Sequence, residues 1–452
     1  MSFFIKVFAF LTLIRYIIAS EQPNFILINV DDLGWKDLGC YGSEIYETPN
    51  IDKLASGGVR FTNAYAVCAV CSPTRAAIMT GRYPARLGVT DWIRARFQGG
   101  KIPSDKKNPS GWVGSSNKKV ICPENGLWME LDEITIAEKL KETGYSTAAI
   151  GKWHLGHKRK YLPLNNGFDY YYGIPYSNDM DAIKNGVGCC VGQNYWAQYE
   201  LEELNSNNYN VPLIENNDVI ERPTDQTTIT KRYSEKAVKF IRENNSNKFF
   251  IYLAHSLPHI PLYASEDFLG KSKNGLYGDV IEEIDHGMGA IVGELKKHNL
   301  DKNTIVVFTS DNGPWLPFET HGGSAGVLRE GKGMTWEGGQ RVPAIFWGAD
   351  IKSGVIDEIG STMDLFPTIV DLSNSAKISD RVIDGVSIKQ TLLHHSQSER
   401  DKIFFYRERE IYALRHGKFK AHFITKGAYL SLIHISEPTR LRRISYAVFC
   451  LK

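Results

Sequence analysis

The sequence has no long hydrophobic run beyond its first twenty residues, so no later segment is expected to span a membrane. It also has little net charge, since 53 lysine and arginine residues oppose 51 aspartate and glutamate residues, for a formal charge of +2. Such a balance gives no indication of nucleic acid or of an anionic membrane as a partner. Internal repeats are absent. What is present, 42% hydrophobic and 23% charged residues in a chain of 452, is typical of a globular protein with one large and one smaller domain.

The amino terminus has the features of a targeting segment. Residues 1–20 combine Lys6, a short apolar run over 7–14 and small residues before a polar stretch, which predicts a secretory signal peptide. Arg15 follows the apolar run and leaves a short signal anchor as the alternative. Asn244 begins the pattern Asn-Asn-Ser and is a candidate N-glycosylation site. These features predict the secretory pathway, with a lysosomal or extracellular destination.

Cysteine is scarce, with seven residues in the whole chain. In an exported protein, most cysteines without a chemical role are expected to form disulfides, although one sequence does not reveal their pairing.

The last cysteine lies in a carboxyl-terminal tail that looks foreign. Residues 431–452 resemble the in-frame translation of a sequencing-library adaptor, so we hypothesise that this tail is not native and replaces the natural carboxyl terminus. Long-read sequencing of the transcript tests this, and a genomic exon encoding the tail would refute it.

Short β-branched and aromatic runs alternate with longer amphipathic stretches, which predicts an α/β fold. Buried strands are predicted at 24–30, 146–150, 249–254 and 304–310. Helices are predicted at 135–143, 230–243 and 278–298. Segments 99–125 and 178–217, rich in glycine or asparagine, are interpreted as surface insertions. The large domain is expected over 21–395, and strands at 403–406 and 412–423 indicate that a smaller, truncated subdomain begins at 396–430.

Two of the predicted buried strands end in oxygen-bearing side chains. Asp31 and Asp32 follow the strand at 24–30, and Asp311 with Asn312 follows the strand at 304–310. Ligands in open α/β sheets bind at the carboxyl ends of strands. Ligation by oxygen alone suits calcium or magnesium and does not suit zinc, which favours histidine and thiolate. The alternative for either pair taken singly is a solvated turn.

A third candidate feature is Cys71, which lies where a helix is predicted to begin. Pro73 suits a first helical turn, and the apolar residues after Arg75 favour a helix. An oxygen anion at position 71 would face free backbone N–H groups and the positive end of the helix dipole, within reach of Arg75. The alternative is an ordinary buried cysteine.

Seven stretches, taken together and in order, resemble the sulfatase family, especially the group of arylsulfatase A and galactosamine-6-sulfatase. They are 29–34, 71–75, 151–156, 173–177, 258–261, 310–314 and 331–339. The resemblance extends from Pro23 to about residue 426 and departs from the usual serine of the cysteine motif at Thr74. It implies an alkaline-phosphatase-like architecture, in which helices enclose a large, mostly parallel sheet and a smaller α+β subdomain follows.

The resemblance also implies a chemistry. Cys71 would be oxidised to formylglycine by a formylglycine-generating enzyme. Calcium, with magnesium as the alternative, would bind Asp31, Asp32, Asp311, Asn312 and the modified Cys71. The hydrate of the aldehyde would be held in place and activated by Arg75, Lys152 and His154. The sulfate group would be bound by Lys152, Ser177, His259 and Lys332, with His259 or Lys332 protonating the leaving oxygen. The implied partner is a sulfated small molecule or glycan.

Other interpretations accompany this one. As isolated residues, the lysines, Arg75 and the histidines are more often solvated charges or structural histidines than site residues. A formylglycine-dependent phosphonate or phosphodiester hydrolase shares the architecture, whereas the related zinc phosphatases carry histidine where Asn312 stands. A binding protein that keeps the fold without catalysis is the alternative from another class.

Overall fold

The structure is a computed structural model that describes residues 22–93, 126–180, 209–407 and 410–425, and the backbone of 448–450. The predicted signal peptide and the insertion at 99–125 lie outside these residues, as does most of the insertion at 178–217. In the part of the chain that is described, no helix combines the length and the apolar character needed to cross a membrane.

The larger sheet has ten strands. They are β1 (Asn24–Val30), β2 (Val59–Tyr65), β3 (Ser146–Gly151), β4 (Tyr170–Gly173), β5 (Leu213–Glu215), β6 (Asp218–Glu221), β7 (Phe249–His255), β8 (Thr304–Ser310), β9 (Ala344–Gly348) and β10 (Gly354–Ser361). Their order across the sheet is β10-β2-β9-β8-β1-β7-β3-β4-β5-β6. The run β8-β1-β7-β3-β4 is parallel throughout, while β9, β5 and β6 introduce antiparallel pairs. The predicted α/β architecture with a mostly parallel sheet is confirmed.

Helices pack against this sheet. They are α1 (Pro49–Gly57), α2 (Cys71–Thr80), α3 (Pro84–Leu87), α4 (Ile136–Lys141), α5 (Ile229–Glu243), α6 (Gly275–Lys297), α7 (Glu337–Gln340), α8 (Leu365–Leu372) and α9 (Lys389–His394). The predicted helix at 135–143 is shorter than expected. Thr135 caps it instead of joining it, because the Thr135 hydroxyl accepts the N–H of Glu138 and the Glu138 carboxylate accepts the N–H of Thr135.

The core lies on both faces of the sheet. In β1, Ile26, Ile28 and Val30 pack into one apolar cluster, and Phe25 and Leu27 pack into the other. Alternate side chains of a strand point to opposite faces, so a strand covered on both sides needs an apolar run without interruption. The first polar side chains after such a run therefore emerge at the edge of the sheet.

A second, antiparallel sheet follows. Its strands are β11 (Lys402–Arg407), β12 (Glu410–His416), β13 (Phe419–His422) and β14 (Val448–Cys450), in that spatial order. The segment predicted as a strand at 412–423 is a hairpin, because Gly417 turns the chain with a φ of 54°. The small sheet packs on the large domain through Ile403, Phe405 and Ala413, which contact Tyr65 and Ile359. The boundary at 395 and the foreign origin of the tail stay predictions.

Three of the seven cysteines lie in described positions with their side chains. Cys40, Cys68 and Cys71 are free thiols, and the last two are buried. Disulfides among the others stay a prediction. Asn244 ends α5 and is half-buried, with its Nδ2 donating to the carbonyl oxygen of Phe240 at 2.9 Å. Its glycosylation also stays a prediction.

Candidate active site

Five adjacent parallel strands deliver polar side chains to one edge of the large sheet. Asp311 and Asn312 follow β8, Asp31 and Asp32 follow β1, His259 follows β7, Lys152 and His154 follow β3, and Ser177 follows β4. Cys71 and Arg75 of α2 and Lys332 from a loop before α7 complete the cluster, and each of these residues is at most 5% exposed. Strand ends of one direction meet at one edge, so the sheet brings together residues that are far apart in sequence.

The centre of the cluster is acidic. One oxygen each of Asp31, Asp32 and Asp311 lies within 4.8 Å of the others. Burial, reinforced by the neighbouring charge of Asp31, raises the pKa of Asp311 to about 7. Burial alone would also raise the pKa of Asp31, but Lys152 and Arg75 hold it far below its usual range. Carboxylates at such a spacing repel one another unless cations lie between or beside them.

Two buried oxygens of this centre have no hydrogen-bond donor among the described residues. They are Oδ1 of Asp31 and Oδ1 of Asn312. The Asn312 amide is oriented by its nitrogen, which donates to Oδ1 of Asp32 at 2.7 Å and so turns the amide oxygen away from that partner. Buried acceptors are almost always satisfied. Orphaned oxygens beside three carboxylates fit a hard divalent cation, for which oxygen is the preferred ligand.

Three cationic side chains surround the acidic centre, one against each carboxylate. Arg75 donates from Nε to Oδ2 of Asp311 at 2.8 Å and from Nη1 to the carbonyl oxygen of Lys152 at 2.7 Å. Lys152 pairs with Oδ2 of Asp31 and donates to Oγ of Ser177 at 3.1 Å. Lys332 donates to Oδ2 of Asp32 at 2.8 Å. Each of the three carboxylates thus has a cationic partner before any ion or substrate is bound.

The Cys71 side chain faces a histidine whose tautomer can be assigned. Sγ of Cys71 is 3.3 Å from Nδ1 of His154, and Nε2 of His154 is 2.7 Å from the carbonyl oxygen of Ile93. A carbonyl can only accept, so Nε2 carries the proton and Nδ1 is free to accept one from position 71. Burial, with Lys152 adding to it, lowers the pKa of His154 and keeps it neutral. Burial also raises the pKa of Cys71 to about 11, so the unmodified thiol is a poor nucleophile at neutral pH.

His259, on the other side of the cluster, has the opposite tautomer to His154. Its Nδ1 is 2.6 Å from the carbonyl oxygen of Ile260, which requires a proton on Nδ1. Nε2 then points at Oγ of Ser177 at 3.3 Å and lies 3.8 Å from Oδ2 of Asp32. His259 therefore approaches the carboxylate that Lys332 also binds, and Ser177 lies between His259 and Lys152.

Thr74 stands where the family pattern usually has serine, and its hydroxyl makes hydrogen bonds that a serine hydroxyl could also make. Its Oγ1 donates to the carbonyl oxygen of Cys68 at 3.0 Å and accepts the Cys68 N–H at 3.3 Å. This pair of bonds closes the loop that leads into α2. Either a serine or a threonine hydroxyl can make both bonds, so the substitution preserves the turn that presents Cys71.

Two further side chains, which the sequence did not predict, lie beside the predicted site residues. Trp315 lies beneath the cluster, with its ring 3.9 Å from Nζ of Lys332 and 5.1 Å from the His259 ring. Asp179 is buried beside Ser177, and Lys332 and Lys152 act on its charge. Neither carries a sequence signal of its own, although each follows a family stretch by one or two positions. Trp153, interpreted as packing, is 1% exposed and donates from Nε1 to the Tyr161 carbonyl at 2.9 Å.

Replacing Arg75 by methionine is expected to lower the free energy of unfolding by about 3–5 kcal/mol, because it leaves Asp311 buried without its partner. Both side chains are 0% exposed. Arg86→Met is the matched control, because Arg86 is 46% exposed and pairs with Asp384 at 2.8 Å. We expect the control to cost about 1 kcal/mol or less. Chemical denaturation measures both, and equal losses would contradict the structural role of Arg75.

Comparison with known proteins finds relatives that cover most of the chain. The sulfatase family model matches residues 23–375. Arylsulfatase A of Bos taurus is 36% identical over 442 residues, which cover 93% of this chain and 80% of the relative. N-acetylgalactosamine-6-sulfatase of Canis lupus familiaris is 36% identical over 421 residues, covering 90% of this chain and 73% of the relative.

A solved structure extends the comparison to three dimensions. The crystal structure of the PsFucS1 sulfatase from Pseudoalteromonas sp. aligns with a TM-score of 0.71 at 29% identity, over 89% of this chain and 78% of that one. Sequence and fold thus agree over most of the chain, including every stretch that lines the acidic sheet edge up to residue 339. The protein belongs to the sulfatase family and is a sulfuric ester hydrolase.

Proposed function

We propose that this sulfatase cleaves sulfate monoesters with a formylglycine derived from Cys71 and with a bound calcium ion. The observation that carries the proposal is the pairing of position 71 with a proton acceptor, since Sγ of Cys71 lies 3.3 Å from the unprotonated nitrogen of His154. A hydroxyl of an aldehyde hydrate at position 71 would lie beside the same nitrogen, which can take its proton as the oxygen attacks sulfur.

Asp31, Asp32, Asp311, Asn312 and the modified residue 71 would hold the ion. The donor set supports this because it consists of oxygen atoms, two of them orphaned, which suits calcium and would also accept magnesium. The ion would polarise the attacking oxygen and neutralise the sulfate group. Because each of the three carboxylates already has a cationic partner, a divalent ion would add positive charge that complements an anionic ester.

Formylglycine, made during biosynthesis by a formylglycine-generating enzyme, would supply two hydroxyl groups on one carbon, one to attack sulfur and one to drive release. The chain's own residues prepare that position. Residue 71 opens α2, so backbone N–H groups and the helix dipole favour negative charge on its oxygen. His154 accepts a proton at Nδ1, and Arg75 fixes Asp311 and the Lys152 carbonyl beside it.

The sulfate group would be bound on the side opposite to His154. Lys152, Ser177, His259 and Lys332 converge there, and three of them are linked by contacts of 3.1 and 3.3 Å through Ser177. Clustered donors of this kind suit a tetrahedral anion with several acceptor oxygens. Lys332 or His259 would donate a proton to the leaving alcohol oxygen, Lys332 from its ammonium and His259 once Nε2 has also gained a proton, since both side chains lie beside Asp32. The proposed location is the secretory pathway, either lysosomal or extracellular.

The test combines one mass measurement with two assays. The tryptic peptide that contains residue 71, from protein made with the formylglycine-generating enzyme, is expected to carry an aldehyde in place of the thiol. Turnover of an aryl sulfate is expected to exceed that of an aryl phosphate diester. An unmodified thiol in a fully active enzyme would refute the proposed nucleophile, and faster cleavage of the diester would favour a phosphodiester or phosphonate hydrolase.

A further inference from the structure

The loop that carries Lys332 rests on the small carboxyl-terminal sheet. Three residues beyond Lys332, the carbonyl oxygen of Thr335 accepts a hydrogen bond from Nζ of Lys420 at 2.8 Å. The same nitrogen donates at 3.0 Å to Oε1 of Glu337, the first residue of α7. Lys420 belongs to β13, so these two bonds join the loop to the second sheet.

The Lys420 side chain is placed with little freedom. It is only 6% exposed, and its Nζ lies 3.4 Å from the centre of the Phe405 ring in β11. Its carboxylate partner Glu337 also accepts from the Tyr65 hydroxyl at 2.7 Å. A buried ammonium is costly unless hydrogen bonds and an opposite charge compensate for its lost hydration. The compensation here comes from the Lys332 loop and from α7.

A ring contact supports the same loop. The imidazole of His422 in β13 stacks on Trp336, with ring centres 3.9 Å apart and an angle of 24° between the planes. The guanidinium of Arg329 lies 4.0 Å from the centre of the Trp336 ring. Trp336 is therefore held by the small sheet and by an arginine of its own domain.

The other side of the loop touches the site itself. Lys332 donates its N–H to the carbonyl of Pro314 at 2.8 Å, and Gly333 donates to the carbonyl of Ala69, two residues before Cys71, at 2.8 Å. A Cβ added at Gly313 would lie 1.8 Å from the carbonyl oxygen of Gly338, so α7, which directly follows the loop, is in backbone contact with the segment after Asn312. A shift of the loop would therefore move the Lys332 ammonium relative to Asp32 and to position 71.

We propose that Lys420 is a positioning residue for sulfate ester hydrolysis, which holds Lys332 against Asp32 by anchoring Thr335 and Glu337 to the small sheet. The inference rests on the proposed role of Lys332 in binding sulfate or protonating the leaving oxygen. It assigns the second sheet a part in catalysis, although Lys420 itself does not touch the reacting atoms. A displacement of about 1 Å in a group of this kind can cost about a hundredfold in rate.

The experiment uses the full chain, expressed with the formylglycine-generating enzyme, and an aryl sulfate as the probe. Lys420→Met is expected to fold and to lower kcat/KM by about 10- to 100-fold. Lys420→Arg, which keeps the charge and can donate to both acceptors, is expected to recover most of the loss. Lys418→Met is the matched control, because Lys418 is an exposed lysine of the same hairpin, and it should retain wild-type kcat/KM.

A double-mutant cycle with Lys332→Ala separates positioning from a general loss of structure. If Lys420 acts through Lys332, then Lys420→Met causes little further loss in the Lys332→Ala background. If the double variant instead lost kcat/KM by the product of the two single losses, the two residues would act independently and the inference would be overturned. Wild-type kcat/KM for folded Lys420→Met would overturn it as well. Either outcome leaves the proposed function intact. Full activity of Lys332→Ala would overturn the inference together with the proposed role of Lys332, and would leave the proposed nucleophile and ion untouched. If Lys420→Met does not fold, His422→Leu, which removes the stack on Trp336, takes its place in the double-mutant cycle with Lys332→Ala, and the same outcomes apply.

Discussion

Replacement of Cys71 by serine is expected to reduce multiple turnover of an aryl sulfate by about 10⁴-fold or more, the scale on which enzymes lose activity with their nucleophile. A serine hydroxyl would occupy the position beside Nδ1 of His154 and could attack sulfur once. The resulting sulfate ester has no second hydroxyl on the same carbon to expel it. The variant should therefore accumulate one covalently bound sulfate per protein, which intact mass spectrometry measures.

Cys68→Ser is the matched control for this experiment. Cys68 is also a free and buried cysteine, three residues before Cys71, and it takes no part in the proposed chemistry. We expect it to keep the activity of the parent protein within a small factor, because the Thr74 contacts to this residue use its backbone. If Cys71→Ser turned over sulfate esters as fast as Cys68→Ser, formylglycine could not be the nucleophile.

Removal of divalent ions by a chelator is expected to abolish turnover and to lower the melting temperature, and calcium should restore both. Three carboxylate oxygens lie within 4.8 Å of one another in the folded state, so an ion that they bind stabilises that state over the unfolded chain. An ion present at about 100 times its dissociation constant stabilises the folded state by about 2.7 kcal/mol. Differential scanning calorimetry with and without calcium measures this shift independently of activity.

The Asn312→Ala substitution tests whether Asn312 binds the ion. The substitution removes a buried amide oxygen that has no donor among the described residues, so the calcium-dependent shift in melting temperature should shrink. Asn24→Ala is the control, since Asn24 is a buried amide at the opposite end of β1 that accepts the Phe249 N–H at 3.0 Å. The Asn24→Ala substitution should lower the melting temperature by the same amount with and without calcium. An unchanged calcium shift in Asn312→Ala would exclude this residue as a ligand.

The ends of the central strands could be predicted from the sequence because the signal is local. The residues from Asn24 to Val30 are all buried in the structure, and the apolar run stops where Asp31 begins. A strand covered on both faces must be continuously apolar, so the first carboxylates mark its end. The start of α2 at Cys71 was readable for a similar reason, since proline is compatible with a first turn and alanine propagates a helix.

Other features could not be predicted because their causes lie elsewhere in the chain. The hairpin at 412–423 depends on a left-handed turn at Gly417, and no proline or asparagine-glycine pair announces it. The tautomer of His154 is set by the Ile93 carbonyl, 61 positions away. Lys420 is an unremarkable lysine in the sequence, yet it is buried against Thr335 across 85 positions. Hydrogen bonds of this range are decided only when the sheets have packed.

The sequence by itself therefore determined the identity of the charged groups and the strand or helix end on which each one lies, because hydrophobic burial and helix initiation act over a few neighbouring residues. Only the tertiary structure decided which carboxylate faces which cation, which oxygens lack a donor, and what supports the Lys332 loop. Arg75 and Asp311 are separated by 236 positions, and Lys332 and Asp32 by 300. Such pairs depend on the order of strands in the sheet. Hydrogen bonds and contact ion pairs need separations of a few ångströms, and the chain positions of the partners do not set that distance.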